Sequence, residues 1–158
     1  MELAEKEVRT EMSGPALKQV DSHSSIHEAA LDEAKQLTEL MQACLENGES
    51  GKAFEIACVA LEHWESRTLA HAFEEEEGLY QDIAKERPEW KATLIALTRD
   101  HDLMRQMAAE IREMLAEQKA TKSVLERFQA MMIVDLLHNR DEMRMLEAMG
   151  KSDEQRAV

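Results

Sequence analysis

Residues 94–115 read LIALTRDHDLMRQMAAEIREML. Leu94, Leu97, His101, Met104, Ala108, Ile111 and Leu115 recur at alternating steps of three and four. That spacing gathers side chains on one face of an α-helix. The face is apolar enough to seek a core, yet a histidine stands in its middle.

Working outward, the same pattern recurs three times. Residues 52–85 carry Phe54, Ala57, Leu61, Trp64, Thr68, His71 and Glu75. Residues from 121 to about 149 carry Val124, Phe128, Met131, Asp135, His138, Glu142, Met145 and Met149. Residues 24–46 carry Ala30, Ala34, Leu37, Met41 and Cys44, in register with His27. Turn signals separate the four segments. Ser25 and Glu28 have the spacing of a capping box and set an expected helix start. NGESG at 47–51 ends that segment, and ERPEW at 86–90 ends the next, with Pro88 suited to a first helical turn. KATKS at 119–123 offers Thr121 or Ser123 as a cap, and Gly150 is the expected stop of the last helix. Short connections make consecutive helices antiparallel, so the expected fold is all-α, an antiparallel up-down-up-down four-helix bundle. Residues 1–20 form an expected polar arm or short helix, 21–150 the bundle and 151–158 a polar tail.

Composition agrees. Five glycines and two prolines in 158 residues leave long helices uninterrupted. With 33 acidic against 19 basic residues, the net charge of −14 argues against nucleic acid and anionic membranes as partners. No run is apolar enough to span a bilayer, and the amino-terminal stretch does not read as a signal peptide. A soluble, cytoplasmic protein is the expectation. Cys44 and Cys58 lack a C-x-x-C spacing and read as reduced core residues.

Each apolar stripe carries a histidine, and two carry a carboxylate as well. Burying such groups without partners costs several kcal/mol. His71 and Glu75 lie four apart, as do His138 and Glu142, so each pair shares one helix face about 6 Å apart along the axis. Counted from the connections, His27, His71, His101 and His138 fall at one depth in the bundle. His23 shares the face of His27 but precedes the expected cap, so His27 is the preferred ligand of the first helix. Six donors, His27, His71, Glu75, His101, His138 and Glu142, are too many for one catalytic zinc. They suit two metals bridged by the glutamates: two non-haem iron ions, with manganese or zinc as substitutes. Glu74, Glu76 and Glu77 read as a solvated face, and His63 as a rim residue. Asp135 reads either as a partner of a ligand or as an interface residue reaching solvent. Asp100 and Asp102 could orient the histidine they flank. Tyr80 falls off the ligand face by periodicity.

The order H…HxxxE…H…HxxxE, in the pieces IHEAAL, HAFEEEEGLY, LTRDHDLM and LLHNRDEM, resembles the hemerythrin-like (HHE cation-binding) domain from about residue 22 to residue 149. Arg105 stands where oxygen-carrying members have a further histidine. Glu142 lies one residue before the position of their aspartate, which here is Met143. The resemblance is therefore to the branch with four histidines and two glutamates, and it argues against reversible oxygen carriage. It implies a protein that binds or reduces a small diatomic or peroxide ligand (oxygen, peroxide or nitric oxide) as sensor or scavenger, a sensor needing a separate protein partner. A catalase-like enzyme and a metal-free interaction bundle are the alternatives.

Overall fold

The computed structural model describes residues 15–157. All described elements are helical. Helix α1 spans Pro15–Glu46 and α2 Ser50–His63. A π-helical turn, Trp64–Leu69, leads into α3, Ala70–Glu77, and then α4, Leu79–Glu86. A 3₁₀ turn at Pro88–Trp90 precedes α5, Lys91–Leu115. Helix α6 runs Lys122–Arg156. The stretch from α2 to α4 acts as one broken rod, so four rods make up the bundle. Helix α1 packs against α2 and α6, and α5 packs against α6. No helix among the described residues is long and apolar enough to cross a membrane.

Two helix ends differ from expectation. Helix α1 begins at Pro15, nine residues before the expected start at 24. Residues 1–14 of the expected arm lie outside the described residues, and 15–20 belong to α1. The expected cap of Ser25 and Glu28 lies in mid-helix, where Glu28 instead accepts from Ser24, one turn away, at 3.3 Å. Helix α6 runs through Gly150 because nothing forces a left-handed turn there. Arg87 pairs with Asp153 at 3.1 Å and ties the extension down. Residues 151–156 are therefore helix, not tail.

Other ends follow the sequence. Thr121 caps α6, its Oγ1 accepting from the Val124 N–H at 3.3 Å. After α1, Gly48 takes φ +73°. The Gly48 and Glu49 N–H groups bond back to the Leu45 and Cys44 carbonyls, a Schellman ending that favours glycine.

The stripe at 94–115 is buried at all seven positions. The buried side chains form two clusters. One gathers Met41, Trp64, Met104, Ile111, Val124 and Phe128, the other Tyr80, Ile83, Leu94, Leu97, Met145 and Leu146. His101 lies between Leu97 and Met104, so a polar layer separates two apolar ones. Cys44 is buried as expected, but Cys58 is exposed, because it falls on the outer face of α2.

Gly78 breaks the second rod between α3 and α4. Its N–H still bonds to the Glu74 carbonyl at 3.0 Å, and a Cβ there would stand 3.2 Å from that same oxygen. An exposed glycine in a helix ordinarily gains about 1 kcal/mol on replacement by alanine. Here the obstacle is backbone, one residue before Glu75. Gly78→Ala is expected to lose roughly 1 kcal/mol in urea unfolding rather than gain it; a stabilised variant would show that the Glu74 carbonyl yields without cost.

Candidate metal centre

The six side chains singled out by spacing come together in the polar layer. His27 Nε2 lies 3.3 Å from Glu142 Oε1, and His138 Nε2 lies 3.4 Å from Glu142 Oε2. Glu75 Oε1 lies 3.5 Å from His71 Nε2 and 3.8 Å from His101 Nε2. Glu142, His101, His138 and Glu75 are almost wholly buried. Overlapping trios of these donors have ligand atoms within 4.8 Å of one another: Glu75, His101 and His138, and His27, Glu75 and Glu142.

A seventh donor joins them. Because α1 starts early, His23 sits inside the helix one turn before His27. Its Nε2 is 3.5 Å from Glu75 Oε2 and 3.8 Å from Glu142 Oε1, and it forms a further trio with His71 and Glu75. The choice between His23 and His27 dissolves, since both face the centre. Depth, register and the assumed helix start had favoured His27 over His23.

Tyr80 also reaches the layer, against expectation. The break at Gly78 rotates α4 relative to α3, so a periodicity carried through the rod misplaces it. Its hydroxyl donates a short hydrogen bond to Glu142 Oε2. Its ring lies parallel to His101 at 5.8 Å between centroids. Burial first, and then Glu142, push the phenol well above its usual range and keep it protonated.

The groups behind the histidines sort the tautomers. His101 Nδ1 lies 2.9 Å from Glu76 Oε1, and Glu76 is gripped by Arg105 through bonds of 3.0 and 2.8 Å. Glu76 is thus no solvated acid. Burial alone would raise its carboxyl, but Arg105 and His101 win and hold it below the usual range. His138 Nδ1 lies 3.3 Å from Asp100 Oδ2, so this aspartate orients the histidine of the neighbouring helix, not the one beside it in sequence. Ionised carboxylates only accept, so both Nδ1 atoms donate, and both Nε2 atoms of the neutral rings present lone pairs inward. Those Nε2 atoms stand 3.1 Å apart. Two lone pairs at that distance repel unless a cation lies with them. A proton is the simplest such cation. Burial, then His138, pushes His101 down to about 4. Burial would lower His138 too, but Glu142 prevails and raises it.

The carboxyls divide in the same way. Burial, then the neighbouring Glu142, pushes Glu75 far above the carboxylate range, and neither of its oxygens has a hydrogen-bond partner. Burial would raise Glu142 as well, but the neighbouring His138 and His27 win and hold it ionised. Asp135, one turn before His138, is buried with Oδ1 unpartnered, and burial raises its carboxyl; it does not reach solvent. His63, outside the layer, bonds through Nε2 to the Ala30 carbonyl at 2.8 Å and joins α2 to α1.

These donors fit a pair of first-row metal ions. Imidazole nitrogens and carboxylates are their usual ligands. Rings anchored through Nδ1 to carboxylates are how proteins orient such ligands. The buried Glu75 oxygens and His71 Nε2, which have no hydrogen-bond partner, are atoms that a cation would satisfy. Compared with family models, curated proteins and solved structures, the chain matches none.

Proposed function

We propose that this chain is a hemerythrin-like, antiparallel up-down-up-down bundle that holds two non-haem iron ions bridged by Glu75 and Glu142. In this reading it binds or reduces a small oxidant (oxygen, peroxide or nitric oxide) as a sensor or scavenger. The observation that carries the reading is the pair of inward imidazole nitrogens, His101 Nε2 and His138 Nε2, 3.1 Å apart with their outer nitrogens committed to Glu76 and Asp100. Nothing in the packing of four helices requires that arrangement; a proton would satisfy the facing nitrogens, and so would a shared metal ion, for which the buried Glu75 oxygens and His71 Nε2 beside them supply further donors.

Bound iron would supply the redox-active position for the oxidant. The protein's residues do the rest. Glu75 and Glu142 bring negative charge to offset the cations. Glu76 and Asp100 fix the rings of His101 and His138, and the apolar clusters above and below limit water. Tyr80 gives its one O–H to Glu142 and so holds that carboxylate in place.

The test is metal analysis of protein purified from iron-supplemented cells. About two iron ions per chain are expected, with charge-transfer absorption in the near ultraviolet. Fewer than about one iron per chain, without such absorption, sinks the reading.

A further inference from the structure

Helix α6 buries one face in the bundle, through Val124, Phe128, Met131, Asp135, His138 and Glu142. Its opposite side carries a second stripe at the same alternating steps of four and three: Glu126, Ala130, Ile133, Leu137, Arg140 and Arg144. This outer stripe is apolar at its centre. Ile133 is 60% exposed, the adjacent Leu136 59% and Leu137 44%. Large aliphatic side chains standing together in water on one short segment mark a contact surface. A groove of about 410 Å³ between α1 and α6 runs beside them, walled by Leu31, Met132 and Leu136. It leaves room for side chains of a partner packed on the stripe.

The charges decide what that partner is. The stripe begins with an acid, Glu126, and ends with two bases, Arg140 and Arg144. Consider a second α6 laid antiparallel on the first, about a twofold axis near residue 135. Glu126 of each copy then meets Arg144 of the other, and Ile133 meets Leu137. Ala130 meets Arg140, whose aliphatic stem can lie over so small a residue. A parallel pairing instead sets Glu126 on Glu126 and arginine on arginine. The spacing is that of a coiled-coil seam. Within one chain the end charges are loosely held. Lys122 lies 4.0 Å from Glu126, and Asp141 lies 3.8 Å from Arg144, both exposed pairs that yield easily to better partners. A net charge of −14 makes copies of this chain repel one another. The outer face of α6, with bases at one end and an acid at the other, offsets that repulsion locally.

We propose that two copies of this chain associate through α6, antiparallel about a twofold axis near residue 135. Ile133 and Leu137 form the centre of the contact, and Glu126 pairs with the other copy's Arg144. The proposal needs no metal and stands apart from the functional reading above.

Sedimentation equilibrium of the full chain, from about 1 to 200 µM, is the test. Twice the chain mass of 18.1 kDa is expected, with a dissociation constant on the order of 10 µM for so small a contact. Ile133→Lys, at an exposed position, should leave helix content and the unfolding midpoint unchanged and abolish the association. Glu126→Arg and Arg144→Glu should each weaken it about tenfold, because a twofold axis makes every substitution act twice. Combining Glu126→Arg with Arg144→Glu should restore wild-type association to within about threefold. A single-chain mass for wild type at the highest concentration overturns the proposal and leaves the stripe to a different protein. A dimer that survives Ile133→Lys puts the contact elsewhere and overturns it too. Single reversals without effect, or a double variant no stronger than either single one, overturn the antiparallel pairing.

Discussion

Ferrous iron added without air to the metal-free protein is expected to raise its unfolding midpoint by about 10 °C or more. The donors meet only in the folded chain, so metal binds that state and not the unfolded one. At a free concentration a thousandfold above the dissociation constant, each site adds about 4 kcal/mol. In a chain of this length, each kcal/mol moves the midpoint by roughly 2–4 °C. The acidic surface, part of a net charge of −14, also attracts divalent cations. Magnesium serves as the control, since it prefers oxygen ligands and keeps its water. It should give a small shift, and iron, manganese or zinc a large one. His101→Leu should abolish the large shift and leave the small one. Without metal, the same variant should unfold within a few degrees of wild type, because Glu76 keeps both bonds from Arg105 and the facing lone pairs are gone. Equal shifts with magnesium and iron would remove the case for a metal centre. A metal-free interaction bundle predicts that equality.

Periodicity carried the sequence reading far where a helix runs unbroken. The stripe from Leu94 to Leu115 was legible because α5 has one period from end to end. The pairs His71 with Glu75 and His138 with Glu142 were legible because a four-residue step is local and survives whatever the rest of the rod does. What was hidden depends on the chain departing from one period. The π-helical turn at Trp64–Leu69 changes the residues per turn just before His71. The break at Gly78 re-aims α4 and brings in Tyr80. Gly78 itself was visible, following EEEE, but a glycine does not announce the angle it permits. His23 was set second to His27 for a different reason. Ser25 and Glu28 matched a cap by spacing, yet serine and glutamate four apart, such as Ser24 and Glu28, also bond within a helix. The partners of His101 and His138 lie on other helices, Glu76 at 25 positions and Asp100 at 38. No local pattern encodes a contact at that separation.

The second large effect is a difference in sign between two glutamates. In the metal-free protein at pH 7, Glu142→Gln should destabilise by about 3 kcal/mol, whereas Glu75→Gln should stabilise by about 2 kcal/mol. Glu142 is ionised, accepts from Tyr80, and has His27 Nε2 at 3.3 Å and His138 Nε2 at 3.4 Å beside it. An amide there turns a donor toward a donor. Glu75 is raised by burial and by Glu142. Folding at neutral pH must therefore return a proton that the unfolded chain has released, and that proton uptake costs stability. Glutamine has the same shape and no proton to recover. The signs also fix the pH windows. For Glu75, whose folded value is raised, the cost grows as pH climbs above the ordinary value of 4.5, so the gain from Glu75→Gln should vanish below it. For Glu142, whose folded value is depressed, the contribution is present above 4.5 and lost as pH falls, so the penalty of Glu142→Gln should shrink in acid. Urea midpoints at two pH values measure both. Under metal the two variants should converge, since each lacks one of the two carboxylates proposed to bridge the ions, and both should hold fewer ions than wild type. Shifts of the same sign at pH 7 without metal would mean that the two carboxyls share one proton evenly, and the division of labour between Glu75 and Glu142 would fail.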